Sequence, residues 1–268
     1  MATIEQRPGR ALLPYISSYW EIGYQLAKGD TVPVPFGCTG RILMVLSLNG
    51  DISCIKDNGQ SIERTKSTLI GQVTQPYTQI FSGPTLGMVI AFTPAGCAAL
   101  WGLPMHELTD DSLHLPEIIL GFDTITDQLR MASDTAQRFT ILDVFLMKLL
   151  KKSKSIDKRI EAATQVLINQ PGKLNIKQLA GYVNSSERTL NRRFTEQVGL
   201  SPKEYARVIR FLQAKRWLLQ RANPDWRTLL HTLGYYDQSH LINEFRHFTG
   251  KAPTAYLPTF SHDYDILW

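Results

Sequence analysis

The chain predicts an α+β protein. Its first half reads as a small β-barrel or sandwich with accompanying helices, and its second as an all-α domain of two repeated helix pairs joined by a long helix. Three observations lead there. Short strand-like runs broken by Asn-Gly give way, beyond Pro94, to helical stripes. The formal charge of +5 is split: up to Leu150 there are 10 Lys+Arg against 14 Asp+Glu, and after it 19 against 10, or −4 and +9. Finally, a string of residues in the basic half recurs 51 positions later.

A chain of 268 residues with 43% hydrophobic and 20% charged residues suits one large or two ordinary domains, and excludes collagen, a disordered tail or a disulfide miniprotein. Three widely spaced cysteines offer neither a disulfide framework nor a Cys-x-x-Cys pair, so a reducing, cytoplasmic location is expected. Met1 to Arg10 lacks the apolar core of a secretion signal. Ser67 to Met105 has no charged side chain, but Gly71, Pro76, Pro84, Pro94 and Gly96 break it, so it reads as buried strand and turn rather than a membrane span.

The elements follow in order. From Arg41 a β-rich run reaches Asn49-Gly50-Asp51, and a second run from Ile52 reaches Asp57-Asn58-Gly59, which predicts hairpins at both Asn-Gly pairs. Strands are expected near Ser67 to Val73, Tyr77 to Phe81 and Leu86 to Phe92, for five or six in all. Helices are expected at Gly96 to Trp101 and around Leu113 to Leu129. A longer one, from about Asp134 to Lys151, has Phe139, Leu142, Val144, Phe145, Leu146 and Leu149 spaced for one buried face. Lys151, Lys152, Ser153, Lys154 and Ser155 then read as a boundary, dividing the chain into domains 1–152 and 153–268.

In the second domain Ser186, Leu190, Phe194, Gly199, Pro202 and Tyr205 recur as Asp237, Leu241, Phe245, Gly250, Pro253 and Tyr256. Each string supplies an N-cap, an apolar stripe with four-residue spacing, a closing glycine and a proline to start the next helix. A short apolar helix precedes each copy, Ile176 to Val183 and Trp226 to Leu233, here offset by 50, so the second turn holds one extra residue near Gly234. Two short helices joined by a tight turn, repeated once, form a pair of helix-turn-helix units. Between them Pro202 to Arg221 has no internal Gly or Pro. Twenty helical residues span roughly 30 Å, near the 34 Å or so between successive major-groove faces. A plain helical bundle would account for Leu190, Phe194, Leu241 and Phe245 as core, but not for the duplication together with the charge.

These residues, with Leu179-Ala180, Ser186 through Phe194, Gly199-Leu200-Ser201-Pro202, and Gly234 through Leu241 to Pro253, resemble the DNA-binding domain of AraC/XylS-family transcription regulators over residues 157 to 258. The resemblance implies a double-stranded DNA partner, sequence-specific binding and activation of transcription with RNA polymerase as a further partner. Carried over by position, it implies base contacts from Arg188, Asn191 and Arg192 in the first unit and from Gln238, Ser239, His240 and Asn243 in the second. Arg suits guanine and Asn suits adenine in the major groove. Ser186, Arg193, Arg246, His247 and Lys251 are expected at phosphates, which set position rather than sequence. The family commonly has a small residue where Leu230 stands and an arginine where Asn243 stands, so the first unit is expected to contribute more specificity.

The first half, at Leu13 to Trp20, Pro33 to Gly40, Phe92 to Gly96 and Leu100 to Pro104, is similar to the β-rich sensor domains of one AraC-like branch. That implies a barrel for a small-molecule effector and a helical part for homodimerisation, with the helix from Asp134 as the candidate interface. Cupin-like barrels can hold metals, but the first 150 residues contain only His106 and His114, outside the expected strands, and no His-x-His pair. No phosphate loop or nucleophile elbow is visible, and Cys38, Cys54 and Cys97 read as small core residues. No catalytic residue, metal or cofactor is therefore expected. Tyr15, Tyr19, Trp20, Phe36, Tyr77, Phe81, Phe92 and Trp101 are candidates for core or for a ligand cavity. The competing reading is a small-molecule-binding protein or enzyme with an accessory basic domain; a ligand-blind architectural DNA binder is a third.

Overall fold

The computed structural model describes residues 2–56, 59–62, 67–172, 175–220 and 225–256. Its first half is one antiparallel sheet of β1 (Ala2–Gln6), β2 (Ile16–Tyr24), β3 (Thr31–Phe36), β4 (Leu43–Lys56), β5 (Ser61–Ile62), β6 (Ser67–Ile70), β7 (Tyr77–Phe92) and β8 (Ser112–His114). The order is β1-β2-β7-β4-β6-β8, with β3 paired to β7 and β5 to β4. Eight strands thus replace the expected five or six, and His114 lies in a strand rather than outside one.

Two expected interruptions are absent. Asn49-Gly50 does not reverse the chain: β4 runs through it, and the register against β7 shifts between Ser47 and Asn49 and again between Asn49 and Asp51. Gly50 takes φ +80°, and an added Cβ would lie 2.3 Å from Thr85 Cγ2 and 2.7 Å from the Pro84 carbonyl, so glycine serves a bulge here. In the partner strand Gly83 takes φ +66°, and β7 runs unbroken where two strands are expected. At the second Asn-Gly site the chain does reverse, with Cys54 opposite Ile62 and Ile55 opposite Ser61; Asp57 and Asn58 themselves lie outside the described residues.

The two sheet faces alternate along every long strand. Tyr19, Met44, Leu46, Leu69, Met88, Ile90 and Phe92 belong to one buried cluster. It is closed by α1 (Gly96–Trp101), α2 (Leu115–Ile118), α3 (Phe122–Met131) and α4 (Thr135–Leu150). Trp20, Leu43, Ile70, Val89 and Ala91 form a smaller cluster on the opposite face. Asp134 caps α4 through the Gln137 N–H, and Phe139, Leu142 and Leu146 are its buried residues; Val144, expected among them, is 52% exposed. Polar ties fix α4 to the sheet: Arg138 pairs with Glu21 at 2.9 Å, and the Tyr19 hydroxyl donates to Asp143 at 2.9 Å.

The second half contains α5 (Lys158–Asn169), α6 (Ile176–Tyr182), α7 (Glu187–Val198), α8 (Pro202–Leu219), α9 (Trp226–Leu233), α10 (Gln238–Thr249) and α11 (Pro253–Tyr256). Helix α5, absent from the expected elements, packs on α6, α7 and α8. Cys38, Ala95 and Ala99 of the first half join the buried cluster of the second. Met105–Leu108 forms a 3-10 turn against α7, and the Thr109 hydroxyl beyond it donates to the Gly199 carbonyl at 2.6 Å. Among the described residues no helix is long and apolar enough to cross a membrane, and no cluster of three or more His, Cys, Asp or Glu could hold a metal ion.

Candidate nucleic-acid interface

Each unit of the duplicated half is built by the same local chemistry. Ser186 caps α7 by accepting from the Thr189 N–H at 3.2 Å, and Asp237 caps α10 by accepting from the His240 N–H at 2.8 Å. Gly199 at φ +92° and Gly250 at φ +72° close the two helices, their N–H groups reaching the Thr195 and Arg246 carbonyls. Leu190, Phe194, Leu241 and Phe245 are at most 1% exposed. Phe194 meets Tyr205 edge-on with centroids 5.5 Å apart, and Phe245 meets Tyr256 likewise at 6.2 Å. In the turns the Ser185 N–H returns to the Ala180 carbonyl and the Tyr235 N–H to the Leu230 carbonyl. Left-handed backbone falls on Asn184 in one and Gly234 in the other.

Burying Leu190 and Phe194 turns the opposite side of α7 to solvent, where Arg188, Asn191 and Arg192 are exposed. Arg192 Nη1 also donates to Glu196 at 2.9 Å, an exposed pair of small energy that a better partner can displace. Arg193 is turned elsewhere: its Nη1 bonds Asp157, the N-cap of α5, at 3.0 Å. Burial alone would push the Asp157 carboxyl up, but the Arg159 N–H, Arg193 and Gln197 outweigh it and hold it below the usual carboxylate range. Ser186 spends its hydroxyl on the cap and on Thr189 Oγ1.

On α10, Gln238, Ser239 and Asn243 are exposed, as are Arg246 and His247 in the last turn and Lys251 just beyond Gly250. His240 is only half out: its Nε2 lies 3.4 Å from Arg210 and 3.9 Å from Glu244, and its ring meets Tyr235 edge-on. The structure thus gathers three of the four expected α10 base-facing residues on one open surface and ties the fourth inward.

That tie belongs to a cluster absent from the sequence expectations. Glu244, on the buried side of α10, is 3% exposed and accepts from Arg207 Nε and Arg210 Nε, each at 3.2 Å, and from Arg210 Nη2. Arg210 also lies over the Tyr235 ring, 4.7 Å from its centroid. The signal was present: Glu244 stands three residues after Leu241 and beside Phe245, on the apolar stripe, where a carboxylate requires a cation. Helix α8, 18 residues or about 27 Å long, carries both arginines and packs against both α7 and α10.

Residues 179–258 match a family described as a helix-turn-helix domain, and residues 4–114 match a domain of unknown function (DUF6597). Over 87 residues the chain is 31% identical to the HTH-type transcriptional activator RhaS of Pectobacterium carotovorum, covering 32% of this chain and 31% of that protein. RhaS of Pectobacterium atrosepticum matches to the same extent, so the match spans about a third of the length of these curated relatives. Among solved structures, ToxT from Vibrio cholerae aligns over 91% of this chain and 99% of its own, at 16% identity and a TM-score of 0.48. The DNA-binding domain of AdpA, solved with a target DNA, aligns over 38% of this chain and 92% of its own, at 27% identity and a TM-score of 0.35. With its duplicated caps, stripes and closing glycines and its match over residues 179–258, the carboxy-terminal half carries an AraC-type helix-turn-helix domain.

Proposed function

We propose that the chain is a sequence-specific transcription regulator, an activator, that reads two adjacent major-groove segments of double-stranded DNA with α7 and α10. The carrying observation is the pair of equivalently capped helices α7 and α10, each with an exposed polar face, both packed on α8, α7 through Phe194 on Tyr205 and α10 through Glu244 on Arg207 and Arg210. Arg188, Asn191, Arg192, Gln238, Ser239 and Asn243 read bases, with His240 contributing from its tethered position. Arg246, His247 and Lys251 hold phosphates, joined by Ser186 and Arg193 at the edge of the first unit. The RhaS likeness, to a protein described as a transcriptional activator, supports activation and therefore contact with RNA polymerase.

The working division is 1–152 for sensing and self-association and 153–268 for DNA, in a cytoplasmic protein without catalytic activity. Homodimerisation through α4 would leave its exposed Val144 and Met147 covered. Selection of genomic DNA by the full chain, followed by titration of the recovered site at several salt concentrations, tests the reading. Two sequence blocks about one helical turn apart and a steep fall of log K with log salt are expected. Binding without sequence preference would refute sequence-specific regulation and favour an architectural role.

A further inference from the structure

The sheet face turned away from α3 and α4 is incompletely filled. Strands β2, β3, β4 and β7 line a cavity of about 100 Å³ whose wall includes Tyr24, Phe36, Leu43, Gln79, Phe81 and Thr85. Among the described residues no Asp, Glu, Lys, Arg or His lines it. A charged occupant would be buried there without a counter-ion, at a cost that excludes it. Thr85 is 7% exposed, and its Oγ1 has no hydrogen-bond partner among the described residues. An orphaned buried hydroxyl on a cavity wall calls for a partner from outside the chain. At about 100 Å³ it is smaller than the apolar cavity of about 150 Å³ that holds benzene, so nothing larger than a single ring fits it.

The cavity wall continues into the DNA-binding half. Phe36 lines the cavity, and the next residue, Gly37, approaches α10 so closely that an added Cβ would lie 3.1 Å from the Phe248 carbonyl. Cys38, 5% exposed, lies in the buried cluster of the second half, and a Cβ on Gly40 would meet Leu212, Ile209 and Val208 of α8 at 3.3–3.5 Å. Leu43 then returns the chain to the cavity. Residues 36–43 therefore have both ends on the cavity and their middle on the helices that carry the second reading unit.

We infer that this cavity is the effector site, that its occupant is an uncharged, mostly apolar molecule of about one ring with one hydrogen-bonding group for Thr85, and that residues 36–43 transmit occupancy to α8 and α10. The transmission rests on the regulator reading above; the ligand class does not.

The test titrates the full chain with phenol, toluene and benzoate by ligand-observed NMR, then measures affinity for the selected DNA site with and without phenol. Phenol is expected to bind about fivefold tighter than toluene, the effect of one neutral hydrogen bond, and benzoate at least tenfold weaker than phenol. Thr85→Val removes the phenol advantage but retains toluene binding, which shows that the variant is folded; Val45→Trp fills the cavity and abolishes both. Bound phenol shifts DNA affinity threefold or more in the unaltered chain and in neither direction in Val45→Trp. Benzoate binding as well as phenol, no probe binding, or binding indifferent to both substitutions would overturn the ligand class. Phenol bound with unchanged DNA affinity would overturn the transmission. A chain that selects no DNA sequence would instead refute the regulator reading, and transmission with it, while the NMR arm still decides the ligand class.

Discussion

Arg210 and Glu244 join α8 to the second reading helix through an ion pair in which the guanidinium is 12% and the carboxylate 3% exposed. Because the pair is so fully desolvated, removing one partner strands the other. Glu244→Ala should cost about 3–5 kcal/mol in chemical denaturation. The double change Arg210→Met with Glu244→Leu should recover most of that stability while still weakening specific DNA binding, since the apolar pair packs but no longer fixes the rotation of α10. Equal stability of Glu244→Ala and the parent chain would refute the buried clamp.

The two units should differ in what they read. Arg192→Ala should lose about 1–3 kcal/mol of discrimination between the selected site and a site mutated in the first block. Asn243→Ala should lose less against the second block. Equal losses in gel-shift titrations would overturn the ranking of the units.

Phosphate contacts have a different signature. Replacing Lys251 or Arg246 with alanine should weaken binding to matched and mismatched DNA alike and reduce the slope of log K against log salt by about 1 for each phosphate that is no longer neutralised. A changed sequence preference with an unchanged slope would move these residues to the base-reading set.

Acid should loosen the seam between α5 and α7. The Asp157 carboxyl has a folded pKa below its unfolded value, so the stability it contributes is present above the unfolded pKa, about 3.9, and is lost as pH falls through the folded one. The stability difference between the parent chain and Asp157→Asn should therefore be constant above about pH 5 and shrink below about pH 4. A difference that persists undiminished at low pH would show that the charge on Asp157 is not what holds Arg193.

The reading helices were legible because their signals are local: cap, four-residue stripe and closing glycine all lie within one short string, twice over. In the sheet the runs that form β4, β6 and β7 were legible, but β2, β3 and the continuity of β4 through Asn49-Gly50 were not, for three separate reasons. Helix-like or strand-like polarity is invisible in β2, where Ser18, Tyr19, Trp20 and Glu21 are buried in succession, so no polar alternation marks it. Strand β3 carries Pro33 and Pro35, tolerated because it is an edge that pairs only with β7. Asn49-Gly50 offers the same positive φ to a bulge as to a hairpin, and only the partner strand decides between them. The cavity is partly legible: of the aromatic candidates Phe36 and Phe81 line it, whereas Tyr19 and Phe92 pack under the helices. Glu244 shows a residual weakness of stripe reading, which counts apolar positions and passes over the one acid among them.

Cys38, Ala95 and Ala99, with Tyr15 packed against them from outside, complete a core whose other fully buried residues all lie beyond 155. The second half is therefore packed on the first through these side chains. A fragment begun at Ser153 would carry an uncovered apolar hollow where those three side chains sat, and hollows of that kind promote self-association. Exchange of sensor halves between related proteins would meet the same obstacle, because a foreign first half must bring not only a ligand site but also three small side chains of the right size at the right places.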